Sequence, residues 1–471
     1  MESRLTMRLP RARIGLLTTG HEYYWRQFPR LQEKCLGMAR KLTEILEGFA
    51  EVVVSDLIDT VDKSEKAGRM FREAAVDILF IFPLGYTTSM MIVPAVQGLD
   101  VPIRIINAHE DRSYDYHAAD TTEYLYHEGV CCIPEYAGAL VSLGRAFRVR
   151  TGHFGDRRLR EELACDVRGA AAARAFRHMN FALLGQAYTN MTDMPIDECR
   201  LLRTFGRMLV RPEVEEIEET FHTVAPAELE SMYAELRALY DVDATVTNDH
   251  LRDSARLAVA YQKVIEHYDI WAFGYYWWGV KEGITLLRSR SNLAVSRLAS
   301  MGRPGVTEGD VKSAMGIKLF DLLGAGGMFA EFFSVDYDEN FILMGHDGPS
   351  NINMAVGKPK LRHLDIHHGK SGHGLGIDFD FREGPVTLLN LTQNNAGQTF
   401  NIIYTTGEIV KGPVLGIGNP NCRVRLRKPI QEFMNEWCQH GPSHHVVIGY
   451  GDRSLEIEVA AESLGFRVAR V

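Results

Sequence analysis

The 471-residue sequence has no run of eighteen apolar residues, no C-x-x-C pair and no dense basic stretch. The first absence argues against a transmembrane helix, which needs about 20 consecutive apolar residues. The second bears on its seven cysteines, an odd number and scattered. They fit reduced thiols better than a disulfide framework, and the vicinal Cys131-Cys132 reads as buried filler. The third absence combines with a charge sum of −9, from 52 Lys plus Arg against 61 Asp plus Glu. A mildly acidic chain lacks the electrostatic footprint for nucleic-acid binding. Internal repeats and low-complexity tracts are also missing. The basic start (Arg4, Arg8, Arg11, Arg13) runs directly into Ile14-Gly15-Leu16-Leu17, too short for a signal-peptide core, so a cytoplasmic protein is expected. What remains is an ordinary globular composition, 46% hydrophobic and 24% charged, at a length that suggests two to four domains.

The first part of the chain alternates two periods. Apolar strands read at 13–19, 51–57, 77–83 and 101–107. Helical spacing fills Tyr24 to Phe49 (Leu31, Cys35, Met38, Leu42, Leu46), then 64–75 and 87–98. This repetition predicts a parallel sheet covered by helices on both faces. The first turn, Thr18-Thr19-Gly20-His21-Glu22, is not the glycine fingerprint of a dinucleotide site. Ligands of such sheets bind beyond the carboxyl ends of the strands, which puts His21, Glu22, Tyr24, Tyr86, His109 and Glu110 within reach of one.

A second α/β segment is expected from about 175 to 310. It has a strand at Phe181–Gly185, helices at 197–210 and 225–241, and an aromatic strand at Asp269–Trp278 that either lines a sugar-sized pocket or fills core. Beyond 340, alternating runs at 361–367, 375–381, 386–392, 399–410 and 421–427 predict an antiparallel β-domain with one helix near 429–440. The overall expectation is α/β: two Rossmann-like α/β domains (1–175 and 176–325) followed by an antiparallel β-rich, barrel-like C-terminal domain (326–471). Gly324-Ala325-Gly326-Gly327 follows a helix and Gly372–Gly376 leads into a strand, so neither is a phosphate cradle.

The residues that carry chemistry sit at element ends. Glu308 lies at the mouth of a helix running to about 323. Glu331 stands among apolar residues in Met328–Phe333, where an uncompensated carboxylate should not be buried. His346 ends the strand Phe341–Gly345, and His444-His445 opens the strand 446–448. Neighbouring side chains on a strand face opposite ways, so only one of that pair readily enters a given site. Two carboxylates with two imidazoles suit Mn²⁺ or a similar divalent ion. A rival cluster is His363, His367, His368 and His373. There Asp365 and His367 share one strand face, and the segment reads mainly as packing and rim.

Several of these segments resemble the L-arabinose isomerase and L-fucose isomerase superfamily. Ser291–Leu298 and Glu308-Gly309-Asp310-Val311-Lys312 are similar to the segment bearing its first metal-binding glutamate. Phe329-Ala330-Glu331 resembles the segment of the second. Leu343-Met344-Gly345-His346 and Gly441-Pro442-Ser443-His444-His445 resemble those of the two histidines, and in the family the second histidine of that pair is the ligand. Asn190-Met191-Thr192-Asp193 and Gly206-Arg207-Met208 look like further landmarks.

The resemblance implies a metal set of Glu308, Glu331, His346 and His445, holding Mn²⁺ or another divalent cation such as Co²⁺ or Mg²⁺. Glu308 and Glu331 become the acid/base pair of an aldose–ketose isomerase acting on a pentose or deoxyhexose-type sugar through an enediol or enediolate. It also implies a homo-oligomer, a hexamer or trimer, in which His21, Glu22 and Tyr24 reach the sugar of a neighbouring subunit. The sequence departs from the family at His21-Glu22, where a Gln-His pair is usual, and at 127–138, where His127-Glu128-Gly129 replaces His-Gly-Asp. The sugar-recognition residues are therefore altered. A related epimerase or lyase on a sugar or sugar acid, or a non-catalytic sugar-binding homologue, stays open as an alternative.

Overall fold

The structure, a computed structural model, describes residues 11–277, 285–364, 374–394, 397 and 399–471, with only the backbone described for 285–290. Two compact units emerge. One comprises residues 9–174 with 455–463, the other 175–454 with 464–471.

The N-terminal unit is built on five parallel strands: β1 (Arg13–Thr19), β2 (Glu51–Val54), β3 (Ile78–Pro83), β4 (Ile103–His109) and β5 (Phe147–His153), in the order β2-β1-β3-β4-β5. β3 is buried along its whole length and β1 along all but one residue, as strands covered on both faces must be. The helical pattern expected from Tyr24 to Phe49 divides into Glu22–Gln27 and Pro29–Glu47. Pro29 disfavours helical backbone at the residue before it, so Phe28 breaks the run. The second helix buries Leu31, Cys35, Met38, Leu42 and Leu46 on one face. Asp166, fully buried, accepts from Arg104 Nε at 2.7 Å and Arg150 Nε at 2.6 Å, and so fixes its helix to β4 and β5. In this strand order the chain reverses direction between β1 and β3, and their carboxyl ends flank the crevice in which doubly wound sheets bind ligands.

The second unit opens with three parallel strands, β6 (Asn180–Gly185), β8 (Ile270–Tyr276) and β9 (Gly305–Val306). A short β7 (Asp241–Val242) pairs with β12 (Ala355–Leu364), which in turn pairs with β13 (Gly374–Phe381). Six antiparallel strands then close on themselves: β14 (Gly384–Thr392), β17 (His445–Tyr450), β10 (Met328–Asp336), β11 (Phe341–Gly345), β16 (Asn421–Leu426) and β15 (Asn401–Val410), with β15 pairing back to β14. β18 (Arg467–Arg470) adds in parallel to β15. Closure removes the exposed edges of an open sheet. The helix Val311–Leu322 is buried on nearly every side. A Cβ at its Gly316 would stand 3.1 Å from Leu389 and 3.2 Å from Val447, so the helix lies close on the barrel wall. One hydrophobic core runs from Ala182 and Phe273 through to Val386 and Val446, so the parallel strands and the barrel share it.

The aromatic strand turns out to be core. Phe273, Tyr275, Tyr276 and Trp277 are buried, with Tyr275 Oη donating to Asn292 at 3.0 Å and Trp277 Nε1 to Tyr261 at 3.0 Å. Trp278 lies outside the described residues. All seven cysteines are free, but only Cys132 of the vicinal pair is buried and Cys131 is exposed. No described helix is long and apolar enough to cross a membrane.

Candidate metal centre

Strand register explains why residues far apart in sequence meet. Glu331 on β10 is opposite His445 on one side and Gly345 on the other. His346 follows directly, so three neighbouring strands deliver one carboxylate and two imidazoles at the same level. Glu308 arrives from the end of the central sheet, in the short turn Thr307–Gly309 after β9. Its backbone is left-handed, at φ 63°, and Gly309 follows at φ 72°. Such a conformation is costly for glutamate and persists only where the surroundings hold it, a pattern concentrated at functional sites. A Cβ on Gly309 would stand 2.5 Å from the Gln186 carbonyl oxygen, so the turn requires glycine there.

Glu308 is the hub. Its carboxylate lies 3.4 Å from His445 Nε2, 3.9 Å from His346 Nε2 and 3.8 Å from His444 Nε2. One donor atom each from Glu308, His346 and His445 falls within 4.8 Å of the others, and the same holds for Glu331, His444 and His445. Donors sharing one small ion stand about 3–3.4 Å apart, and the 3.4 and 3.9 Å from Glu308 to His445 and His346 come close to that. Phe329 closes the floor, its ring 4.2 Å from His346 and 4.3 Å from His445. Glu308 Oε2 and His445 Nε2 are buried and make no hydrogen bond, even to each other. Two such facing polar atoms are costly to bury unless a proton on Nε2, or a cation in its place, joins them.

Behind His445 stands a residue that sequence reasoning missed. Asp310 is fully buried, and its Oδ2 accepts from His445 Nδ1 at 3.0 Å and from Ser313 Oγ at 2.6 Å. Its Oδ1 caps the helix Val311–Leu322 through the Ser313 N–H at 3.3 Å and lies 3.5 Å from Lys312 Nζ. Lys312, itself buried, donates to the Met194 and Pro195 carbonyls at 2.8 and 3.0 Å. Burial alone would raise the Asp310 pKa, but Lys312 and His445 hold it well below the usual carboxylate range. For His445, burial pulls the other way, yet the Asp310 and Glu308 carboxylates push it up to about 9. A carboxylate on the far nitrogen of a ligand histidine sets its tautomer and aims its lone pair. The signal was present in the sequence as an Asp three residues before Ser313 at a helix start.

His444 precedes β17 rather than lying in it, so strand alternation does not turn it away. Asp193 holds it, accepting from the His444 N–H at 2.9 Å and from Nδ1 at 2.7 Å. Both histidines therefore face Glu308, His445 from full burial and His444 from a half-exposed position.

The other expected residues belong to the N-terminal unit. His21, Glu22 and Tyr24 lie just past β1, with the His21 ring stacked 5.0 Å from Tyr24 and 6.3 Å from Tyr86, which follows β3. His21 Nδ1 is buried without a hydrogen-bond partner. Of the rival cluster, His363 stacks on His250 at 5.1 Å. Asp365, His367, His368 and His373 lie outside the described residues.

No protein-family profile matches the chain. Curated relatives do. L-arabinose isomerase of Geobacillus thermodenitrificans is 22% identical over 342 residues, covering 70% of this chain and 68% of that one. The Nocardioides enzyme of the same name is 24% identical over 351 residues, 72% of this chain and 68% of that one. The Clavibacter sepedonicus enzyme is 22% identical over 467 residues, 95% and 90% of the two chains. Among solved structures, an ABC-transporter solute-binding protein from Burkholderia multivorans aligns with 67% of this chain and 94% of its own at 11% identity and a TM-score of 0.18, too slight a likeness to bear on fold or function.

Proposed function

Because this chain is a divergent member of the L-arabinose isomerase family, we propose that it is a divalent-metal-dependent aldose–ketose isomerase acting on a pentose or deoxyhexose-type sugar. The observation that carries this is a pair of donor groups that share His445, one with Glu308 and His346 and the other with Glu331 and His444, together with the facing Glu308 and His445 atoms that lack hydrogen bonds. Glu308, Glu331, His346 and His445 would hold Mn²⁺, or Co²⁺ or Mg²⁺ in its place. A cation bound there would polarise the two sugar oxygens and lower the pKa of the hydroxyl.

The chain's own residues do the rest. Aldose-to-ketose conversion removes the proton on C2, moves a hydroxyl proton from O2 to O1 by way of an enediol and returns a proton to C1. Glu308 and Glu331 supply carboxylates able to take and return it as general base and acid. Asp310 keeps the Nδ1 proton on His445, so that Nε2 faces the site. Phe329 and the buried histidine rings exclude water from one wall.

His21, Glu22 and Tyr24 are the sugar-contacting residues in this reading, offered to a neighbouring subunit of a homo-hexamer or trimer. Their place at the carboxyl ends flanking the β1–β3 crevice supports that role. Metal-stripped protein should convert one member of an aldose panel to its ketose only after Mn²⁺ is restored. Tight Mn²⁺ uptake with no ketose from any aldose would favour an epimerase or lyase; sugar affinity without metal uptake would favour a binding protein. Mixing Glu331→Gln with His21→Ala subunits should regain activity where sites are shared. Mixtures that exchange subunits but never exceed the sum of the parts would refute the sharing.

A further inference from the structure

At the carboxyl end of β4, in the N-terminal unit, three donors converge from two elements. His109 ends the strand, Asp111 follows two residues later, and His127 is the last residue of the helix Thr121–His127. Asp111 Oδ2 stands 3.7 Å from His109 Nδ1 and 3.6 Å from His127 Nε2. Donors that share a tetrahedral ion with bonds of ~2.0–2.1 Å are about 3.4 Å apart. Asp111 would need to move only a few tenths of an ångström toward each histidine, and all three donors lie within 4.8 Å of one another. Glu123 Oε1 lies 3.2 Å from the same His127 nitrogen and offers a fourth donor.

The chemistry agrees with the spacing. His109 Nδ1 accepts the backbone N–H of Asp111 at 3.0 Å, so its lone pair is already directed at this loop, and an ion would take over from that N–H. The two imidazoles stack with centroids 4.0 Å apart, an arrangement that opposes protonation of both. Burial, and then His127, hold the His109 pKa below the ordinary histidine value, which leaves a neutral ring. Of the nearby lysines, Lys41 pairs with Glu110, outside the set, while Lys34 pairs with Glu123 Oε2 and leaves Oε1 on the His127 side. Both histidines line a cavity of about 210 Å³ beside the ends of β4 and β5.

We propose that His109, Asp111 and His127, with Glu123 in reach, form a second divalent-cation site of the zinc type, separate from the barrel centre. Two imidazoles with one or two carboxylate oxygens are a borderline donor set that suits Zn²⁺ better than Mg²⁺ or Ca²⁺. An ion there ties the loop after β4 to the last turn of the helix Thr121–His127 and so shapes the wall of the ligand crevice.

The test is a zinc titration of the metal-stripped full-length chain by calorimetry, comparing wild type with His127→Ala and Asp111→Asn. Each variant should lose one zinc-binding event, or weaken it at least ~10-fold, while any other event keeps its affinity. Asp111 sits on a loop with its side chain 45% exposed, so Asp111→Asn stays informative if His127→Ala fails to fold. An Asp111→Asn isotherm identical to wild type overturns the proposal. The difference between chains is what is read, so a barrel centre that took up no metal would count against the isomerase reading and leave this one standing.

Discussion

Asp310→Asn tests whether the barrel centre is built as a metal site or only resembles one. Both Asp310 oxygens receive donors: Oδ1 faces the Ser313 N–H and the Lys312 ammonium, and Oδ2 faces Ser313 Oγ and His445 Nδ1. An amide NH₂ cannot face a backbone N–H and an ammonium, so it must take the Oδ2 side. There it donates to His445 Nδ1, which becomes the acceptor and moves the ring proton to Nε2, the nitrogen aimed at Glu308. Metal binding must then reverse the tautomer. Loss of such a supporting carboxylate lowers affinity by about 10–100-fold, or roughly 1.4–2.7 kcal/mol. A second effect opposes the first and gives the experiment its signature. In the wild type, His445 is raised to about 9 and holds a proton that a metal must displace. Its metal affinity should therefore climb with pH until about 9. The same raised pKa makes the metal-free fold lose stability as pH rises from the unfolded histidine value toward 9. The Asn variant lacks the charge that sustains this proton, so its affinity should flatten above neutrality. Mn²⁺ titrations under argon from pH 6.5 to 9 would show curves that diverge with pH, the variant falling furthest behind at the alkaline end. Parallel curves, or equal affinities at pH 9 in a folded variant, would refute the tautomer argument.

Three further outcomes follow from the same geometry. Glu331→Gln keeps an oxygen donor but removes the base, and should lower kcat at least ~100-fold while sugar binding, followed by calorimetry, persists; near-wild-type turnover would make Glu331 a structural ligand at most. Alanine at Glu308, His346 or His445 should empty the Mn²⁺ site in elemental analysis of the purified protein, whereas His444→Ala, which removes a half-exposed ring held mainly by Asp193, should cost several-fold less affinity than His445→Ala. Gly309→Ala places a Cβ 2.5 Å from the Gln186 carbonyl oxygen at φ 72°; it should destabilise by about 1–3 kcal/mol in denaturant titration and weaken Mn²⁺ binding by displacing Glu308, and wild-type affinity would mean that the turn does not set the ligand.

What could be read in the sequence divides according to the range of the physics involved. Buried parallel strands and an amphipathic helix are local patterns, and β1, β3 and the helix Pro29–Glu47 lie where periodicity puts them. Barrel closure is not local: the pairing of β14 with β15 that seals it joins strands whose alternation looks like that of any open sheet. The site shows the same division. Glu308, Glu331, His346 and His445 were found through motif resemblance, because spacing across four separate elements contains no distance information. The register of β17, β10 and β11 supplies it, and no property of the individual residues predicts that Glu331 will stand beside both His445 and Gly345. His444 shows how a sound local rule fails at a boundary. Alternation holds only inside a strand, and β17 begins one residue later, which leaves His444 free to follow Asp193 toward Glu308. Asp310 was legible as a helix cap, but its second task needs His445 from 135 residues away. One carboxylate thus fixes both the start of a buried helix and the tautomer of a candidate ligand, so Asp310→Ala should damage the cap and the metal site together, whereas Asp310→Asn keeps an oxygen on the Ser313 N–H and should damage the metal site alone.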